Sequence, residues 1–133
     1  MSNRRRPARI NQYRAGYLRS PSWFARRARW FVEEEAAHGA VRCAVCSGKG
    51  TSRTLELHHL DYTGVREDAK GWVAAEPHED LVAAHPRCHE WIHRLIDRDT
   101  VLGGMMSRRA ANLQAITRLR AKIAGRVDDW TRT

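Results

Sequence analysis

The sequence predicts an α+β domain whose centre runs strand, loop, strand, helix, held by a metal knuckle and flanked by one helix on each side. Three observations carry this. Cys43-x2-Cys46 is answered downstream by His85-x2-Cys88, two pairs of ligand residues at matching spacing. Six of the seven histidines fall between residues 58 and 93. Helix-type apolar spacing occurs before and after this centre, and short strand-like runs occur inside it. A chain of 133 residues allows one compact domain with an arm or tail.

Residues 1–19 read as a flexible basic arm, with no sustained periodicity. A leader helix follows over 20–39: Ser20 is the N-cap, Pro21 takes the first helical position and Gly39 stops it. Trp23, Phe24, Trp30 and Phe31 recur at seven-residue spacing around Ala28 and make an apolar stripe. Glu33 to Glu35 sit at the unfavourable end for the helix dipole and so have another role or none.

"VRCAVCSGKG" reads as a turn knuckle, and "TLELHHL" as a short strand whose alternate residues face opposite ways. On that reading His58 and His59 point to different sides. Residues 61–79 read as an irregular loop, long enough to be functional. "EDLVAA" is a second strand, and Pro86 opens a helix, "PRCHEWIHRLID", with a core face of Cys88, Ile92, Leu95 and Ile96. This central domain spans 40–98. Gly103 and Gly104 break the chain before a last amphipathic helix and tail within 99–133, with Leu113, Ile116, Leu119 and Ile123 on its apolar face and Gly125 as its stop.

The formal net charge is +9, and it is unevenly placed. Residues 1–32 hold Arg4, Arg5, Arg6, Arg9, Arg14, Arg19, Arg26, Arg27 and Arg29 without one acid, so the remainder is balanced. A second acid-free stretch carries Arg108, Arg109, Arg118, Arg120, Lys122 and Arg126. Basic ends around an acidic middle are the footprint of a polyphosphate partner, and arginine is the better phosphate fork. Nucleic acid is the expected partner, against a solubilising arm plus a solvated helix face. No run approaches the eighteen apolar residues of a membrane span, which sets the expectation of a soluble, cytoplasmic protein without a membrane partner.

Three cysteines make an odd count, against a disulfide scaffold. Cys43, Cys46, His85 and Cys88 together supply four donors for a tetrahedral structural zinc. The bland reading leaves Cys88 as a core thiol and His85 on the surface; a redox pair at Cys43 and Cys46 lacks the βαβ setting it needs. A second set is His58, His89 and His93. On a helix His89 and His93 share a face at i, i+4, and His58 on a facing strand completes a three-histidine site for a divalent ion. His59, directed elsewhere, is left as a base near neutral pH. The plainer alternative has His89 and His93 capping or packing the helix.

With "CAVC", "LELHHL", "EDLVAA" and "HPRCHEWIH" in this order, residues 43–93 resemble an HNH endonuclease of the ββα-metal fold with structural zinc knuckles. "YLRSPSWFARRARWF" resembles the leader helix before this module in phage and prophage HNH proteins. The resemblance implies a metal-dependent DNA endonuclease. His59 is then the general base, and His58, His89 and His93 hold one catalytic ion (Mg²⁺, Mn²⁺, Ni²⁺ or Zn²⁺). Cys43, Cys46, His85 and Cys88 hold the structural Zn²⁺, His85 replacing the usual third cysteine. Asp80 stands where the family usually has Asn, and is expected to orient His59 and raise its basicity. Arg4, Arg5, Arg6, Arg26, Arg27, Arg108 and Arg109 are the expected contacts to the DNA backbone. Phage packaging or terminase proteins are further implied partners, the setting a bacterial host or phage-infected cell, and the assembly a monomer or homodimer. The alternative is a non-catalytic zinc module that binds nucleic acid or serves phage assembly.

Overall fold

The computed structural model describes residues 14–131, with side chains described as far as Gly125. Residues 14–18 form a helical turn, and the Tyr17 side chain is fully buried. The basic arm expected over 1–19 therefore gives way to packed structure before its expected end. Its first thirteen residues lie outside the described part.

Helix α1 spans Pro21–His38. Ser20 caps it as expected, its Oγ accepting from the Trp23 N–H at 3.2 Å while its hydroxyl donates to the Tyr17 carbonyl at 2.6 Å. Gly39, at φ 79°, ends it, a left-handed backbone that glycine adopts without a Cβ penalty. Trp23, Trp30 and Phe31 enter the core, but Phe24 is 57 % exposed, so the buried stripe is narrower than expected. The acids have work: Glu33 binds Arg26 and Arg29, and Glu34 binds His38 and His78.

Strand β1 (Glu56–His59) pairs antiparallel with β4 (Leu81–Ala84), with His58 opposite Val82 and His59 opposite Leu81. The connection between them is not irregular. It holds a hairpin of β2 (Val65–Asp68) and β3 (Gly71–Ala74), and then a 3₁₀ turn at His78–Asp80. The hairpin is weakly buried on both strands, so no alternation of apolar and polar residues announces it. Gly71, at φ 117°, permits its turn.

Helix α2 (Pro86–Arg98) follows β4 directly and packs against both β1 and β4. A short α3 (Thr100–Gly104) contains the two glycines expected to break the chain. Helix α4 (Arg108–Thr131) then runs through Gly125 rather than stopping there. Its buried face is Ala111, Asn112, Ala115 and Ile116, with Leu113 turned outward at 47 % exposure. Of the expected face, Ile116 is buried and Leu119 and Ile123 pack against the core; Leu113 alone turns away, and a polar residue, Asn112, takes its place. The core joins α1 (Trp23, Trp30), β1 and β4 (Leu57, Leu81, Ala83), α2 (Ile92) and α4 (Ala115, Ile116). The fold is α+β with two small antiparallel sheets. Among the described residues no helix is long and apolar enough to cross a membrane.

Candidate metal centres and the paired histidines

The knuckle forms because residues 41–50 fold back on themselves. The Cys43 N–H bonds Gly48 O at 2.9 Å, the Gly50 N–H bonds Val41 O at 3.0 Å, and the Ala44 N–H bonds Ala83 O on β4 at 2.8 Å. That last bond carries Cys43 and Cys46 to the start of α2, where His85 and Cys88 stand. The ligand atoms of all four lie within 4.8 Å of one another. Cys46 Sγ is 3.2 Å from His85 Nδ1, and Cys43 Sγ accepts the Val45 and His85 N–H groups at 3.4 Å. Burial pushes the Cys43 thiol up, but backbone N–H groups of Cys46, His85 and Val45 outweigh it and bring it to about 7. Burial and the neighbouring Cys43 charge push Cys88 up to about 12. A divalent cation bound among these sulfurs would offset the like charge that holds Cys88 up. The donor set, three sulfurs and one imidazole in tetrahedral number, fits zinc.

The second group is assembled from β1 and α2. His58, His89 and His93 also bring ligand atoms within 4.8 Å of one another. The His58 ring lies edge-on to His89 and His93, with centroids at 5.0 and 4.9 Å. His89 Nδ1 is 3.0 Å from Glu56 Oε1, and its Nε2 is 3.1 Å from His93 Nε2. A carboxylate only accepts, so His89 gives its Nδ1–H to Glu56 and keeps a lone pair on Nε2. A carboxylate behind a ligating imidazole is the usual support of a metal site. Burial pushes His58 down to about 3 against the opposing pull of its bond to Asn112, with His89 and His93 adding to the fall. It is therefore neutral at physiological pH, the state a ligand requires. Three convergent imidazoles fit a divalent transition ion.

His59 points to the other side of β1, as the strand period dictates. It is buried, and its Nε2 is 2.7 Å from Glu76 Oε2. The same carboxylate oxygen accepts the Tyr17 hydroxyl at 2.6 Å, while Arg26 Nε donates to the Glu76 carbonyl at 3.0 Å. These bonds from His59 and Tyr17 overcome the cost of burial and hold the Glu76 carboxyl below its ordinary value. Glu76 Oε1 is buried without a partner among the described residues. One face of the His59 ring stacks on Tyr62 at 4.2 Å and 9°, and Trp23 lies 4.7 Å away. The guanidinium carbons of Arg14 and Arg108 lie 4.8 and 5.2 Å from the Tyr62 ring centre, bringing two cations beside this stack.

Asp80 does not reach His59, contrary to the expectation that it orients the base. It is buried, and its carboxylate accepts from Arg109 and, at 3.5 Å, from Thr63. Its main-chain carbonyl accepts the Leu60 N–H at 2.7 Å, so it braces the strand pair beyond the histidines. The carboxylate that His59 meets is instead that of Glu76, whose place after the unforeseen hairpin concealed it.

The expected DNA contacts divide. Arg26 is 3 % exposed and committed to Glu33 and the Glu76 carbonyl, so the expectation is corrected for this residue. Arg27 donates to the Ser52 and Leu55 carbonyls, both at 2.7 Å, and covers Phe31, which makes it a brace for the segment before β1. Arg109 is bound to Asp80, and Arg108 lies over Tyr62. Arg4, Arg5 and Arg6 lie outside the described residues.

Asn112 of α4 was not foreseen. It accepts from His58 Nε2 at 2.6 Å and donates to the carbonyls of Leu60 and Arg108 at 3.1 and 3.0 Å, and to that of His59 at 3.4 Å. A polar residue within an otherwise apolar helical stripe was the signal that could have found it.

Comparison of the chain with protein-family models, with curated proteins and with solved structures returns no match.

Proposed function

We propose that this chain is a divalent-metal-dependent endonuclease of the HNH kind, hydrolysing phosphodiester bonds in DNA on a ββα-metal core. The observation that carries the reading is the opposed environment of two adjacent histidines. His58 joins His89 and His93 in a cluster of three imidazoles, and His59 is paired with a buried carboxylate. Sequence order supports it as well: β1, β4 and α2 supply the strand, strand and helix, and the four-donor knuckle sits at their junction.

In this reading Cys43, Cys46, His85 and Cys88 hold a structural zinc, and His58, His89 and His93 hold the catalytic ion. That ion, when bound, supplies positive charge to the scissile phosphate and the departing 3′ oxygen. His59 gives its Nε2–H to Glu76, which leaves Nδ1 as the atom that takes a proton from water. Glu76 keeps the ring in that tautomer and stabilises the imidazolium formed, the role of the third group in any base dyad. Tyr17 fixes Glu76 from behind. Arg14 and Arg108 place positive charge beside the Tyr62 stack, where backbone phosphates are held without reading sequence.

A second reading, a zinc module that binds nucleic acid without cutting it, is favoured by one observation. His59 is only 3 % exposed and lies under Tyr62, so water reaches it only if that stack opens when DNA binds. Plasmid cleavage in Mg²⁺, Mn²⁺ or Ni²⁺ separates the two. The nuclease reading expects cleavage by the wild type and a loss of about 10²- to 10⁴-fold in His59→Ala, the usual worth of a general base. Wild-type rates from a folded His59→Ala protein would remove the base assignment. No cleavage by the wild type in any of these ions would favour the binding module.

A further inference from the structure

We infer that Asn112 locks His58 in the tautomer that carries its proton on Nε2, dedicating Nδ1 to the divalent ion, so that the C-terminal helix belongs to the metal centre. The inference rests on the three-histidine site of the proposed function and adds a positioning residue to it.

The argument turns on which way the Asn112 amide faces. Its nitrogen side meets the carbonyl oxygens of Arg108, Leu60 and His59 at 3.0, 3.1 and 3.4 Å. A carbonyl only accepts, so that side must be the NH₂ group; the flipped amide would set oxygen against three oxygens. Oδ1 therefore faces His58 Nε2, at 2.6 Å. An amide oxygen only accepts, so Nε2 must donate, and the ring's other nitrogen, Nδ1, keeps its lone pair.

The ring is not free to exchange the two nitrogens. His58 is 3 % exposed, Asn112 is 2 % exposed, and the rings of His89 and His93 stand edge-on against it. Glu56 serves His89 in the same way from the outer side, holding Nδ1–H and leaving Nε2. Two of the three ligands are thus set before any ion arrives, one from β1 itself and one from α4. Outer partners of this kind are worth about 10- to 100-fold in metal affinity.

The test uses the full-length protein loaded with its structural zinc. Long-range ¹H–¹⁵N correlation reports the His58 tautomer before any second metal is added. Ni²⁺ affinity, measured by chelator competition, follows for the wild type, Asn112→Ala and Asn112→Asp. The expected results are Nε2–H in the wild type, a mixture of tautomers in Asn112→Ala, and Ni²⁺ binding about 10- to 100-fold weaker in that variant. Asn112→Asp keeps the acceptor for His58 but sets its second oxygen against the three carbonyls, a repulsion that costs stability. It should hold Nε2–H and bind Ni²⁺ within a few-fold of wild type, even if it melts earlier. Nδ1–H in the wild type would overturn the inference without any variant. So would undiminished Ni²⁺ affinity in Asn112→Ala, or a folded Asn112→Asp as weak as Asn112→Ala. Neither readout depends on DNA cleavage. An inactive enzyme with the expected tautomer and affinities would reject the nuclease reading and leave Asn112 in its role.

Discussion

Replacing Glu76 by Gln removes one charge and almost no volume, which makes it a clean probe of the buried network behind His59. Glu76 Oε2 takes bonds from Tyr17 at 2.6 Å and His59 at 2.7 Å. Both are short, as bonds to an ionised acceptor are, and making the acceptor neutral weakens each by about 1 kcal/mol. The new NH₂ group falls where Oε1 now lies buried without a partner among the described residues, and an unsatisfied buried donor costs about 1–3 kcal/mol. Against this, the buried carboxylate no longer has to be stripped of water, which returns a few kcal/mol, taken here as about 2. The balance is a loss of about 2 kcal/mol. For a domain of this length that is a fall of roughly 6–10 °C in Tm.

The sign fixes the conditions. The folded carboxyl is held below its ordinary value of 4.5, so its contribution is complete above that value and fades as pH falls through the lower folded one. Melts followed by circular dichroism at pH 7 with saturating zinc therefore show the full effect. A Glu76→Gln protein that melts at or above the wild-type temperature would refute this account of the network.

Other outcomes follow from the same structure. Wild-type protein should bind two divalent ions per chain and His89→Ala only one, as read by elemental analysis after dialysis against Ni²⁺ in zinc-loaded samples. Cys88→Ala should lose the zinc and with it most of the cooperative fold, because binding energy at such a site is folding energy; a sharp melt without metal would contradict this. In Gly64→Ala the new Cβ would run into the Ala75 carbonyl oxygen and stand 2.6 Å from Glu76 Cα. That overpacking should cost about 1–3 kcal/mol in urea denaturation, and an unchanged midpoint would show that the connection is soft there. Ser20→Ala deletes the cap on Trp23 N–H and should cost about 1 kcal/mol, measurable in the same titration.

What could be read from the residues alone was what local spacing encodes. The two x2 pairs and the i, i+4 histidines name their groups without tertiary information, and the structure brings each set together. The strand period likewise separates His58 from His59. The partners behind those histidines were hidden for physical reasons. Glu76 lies beyond a hairpin whose four-residue strands are exposed or half-buried throughout, so the chain there carries no period to read. Asp80 seemed the partner because it occupies the expected place in order, yet Arg109, distant in sequence, claims its carboxylate. Arg26 looked like a free cation because its burial depends on Glu33 and on the Glu76 carbonyl arriving together. Asn112 was masked by its neighbour Leu113, an apolar residue that seemed to extend the face of Ile116, Leu119 and Ile123 but turns outward.

The pair His58 and His59 is gripped from both ends of the chain, by Tyr17 through Glu76 on one side and by Asn112 on the other. A fragment trimmed to residues 43–93 would keep all seven candidate ligands and Glu76, but would lose Tyr17 behind Glu76 and Asn112 behind His58. His58 would then lack its amide partner and Glu76 its tyrosine. The framework that fixes these two side chains is consequently larger than the segment that carries them, and it extends to two residues, a tyrosine and an asparagine, outside that segment.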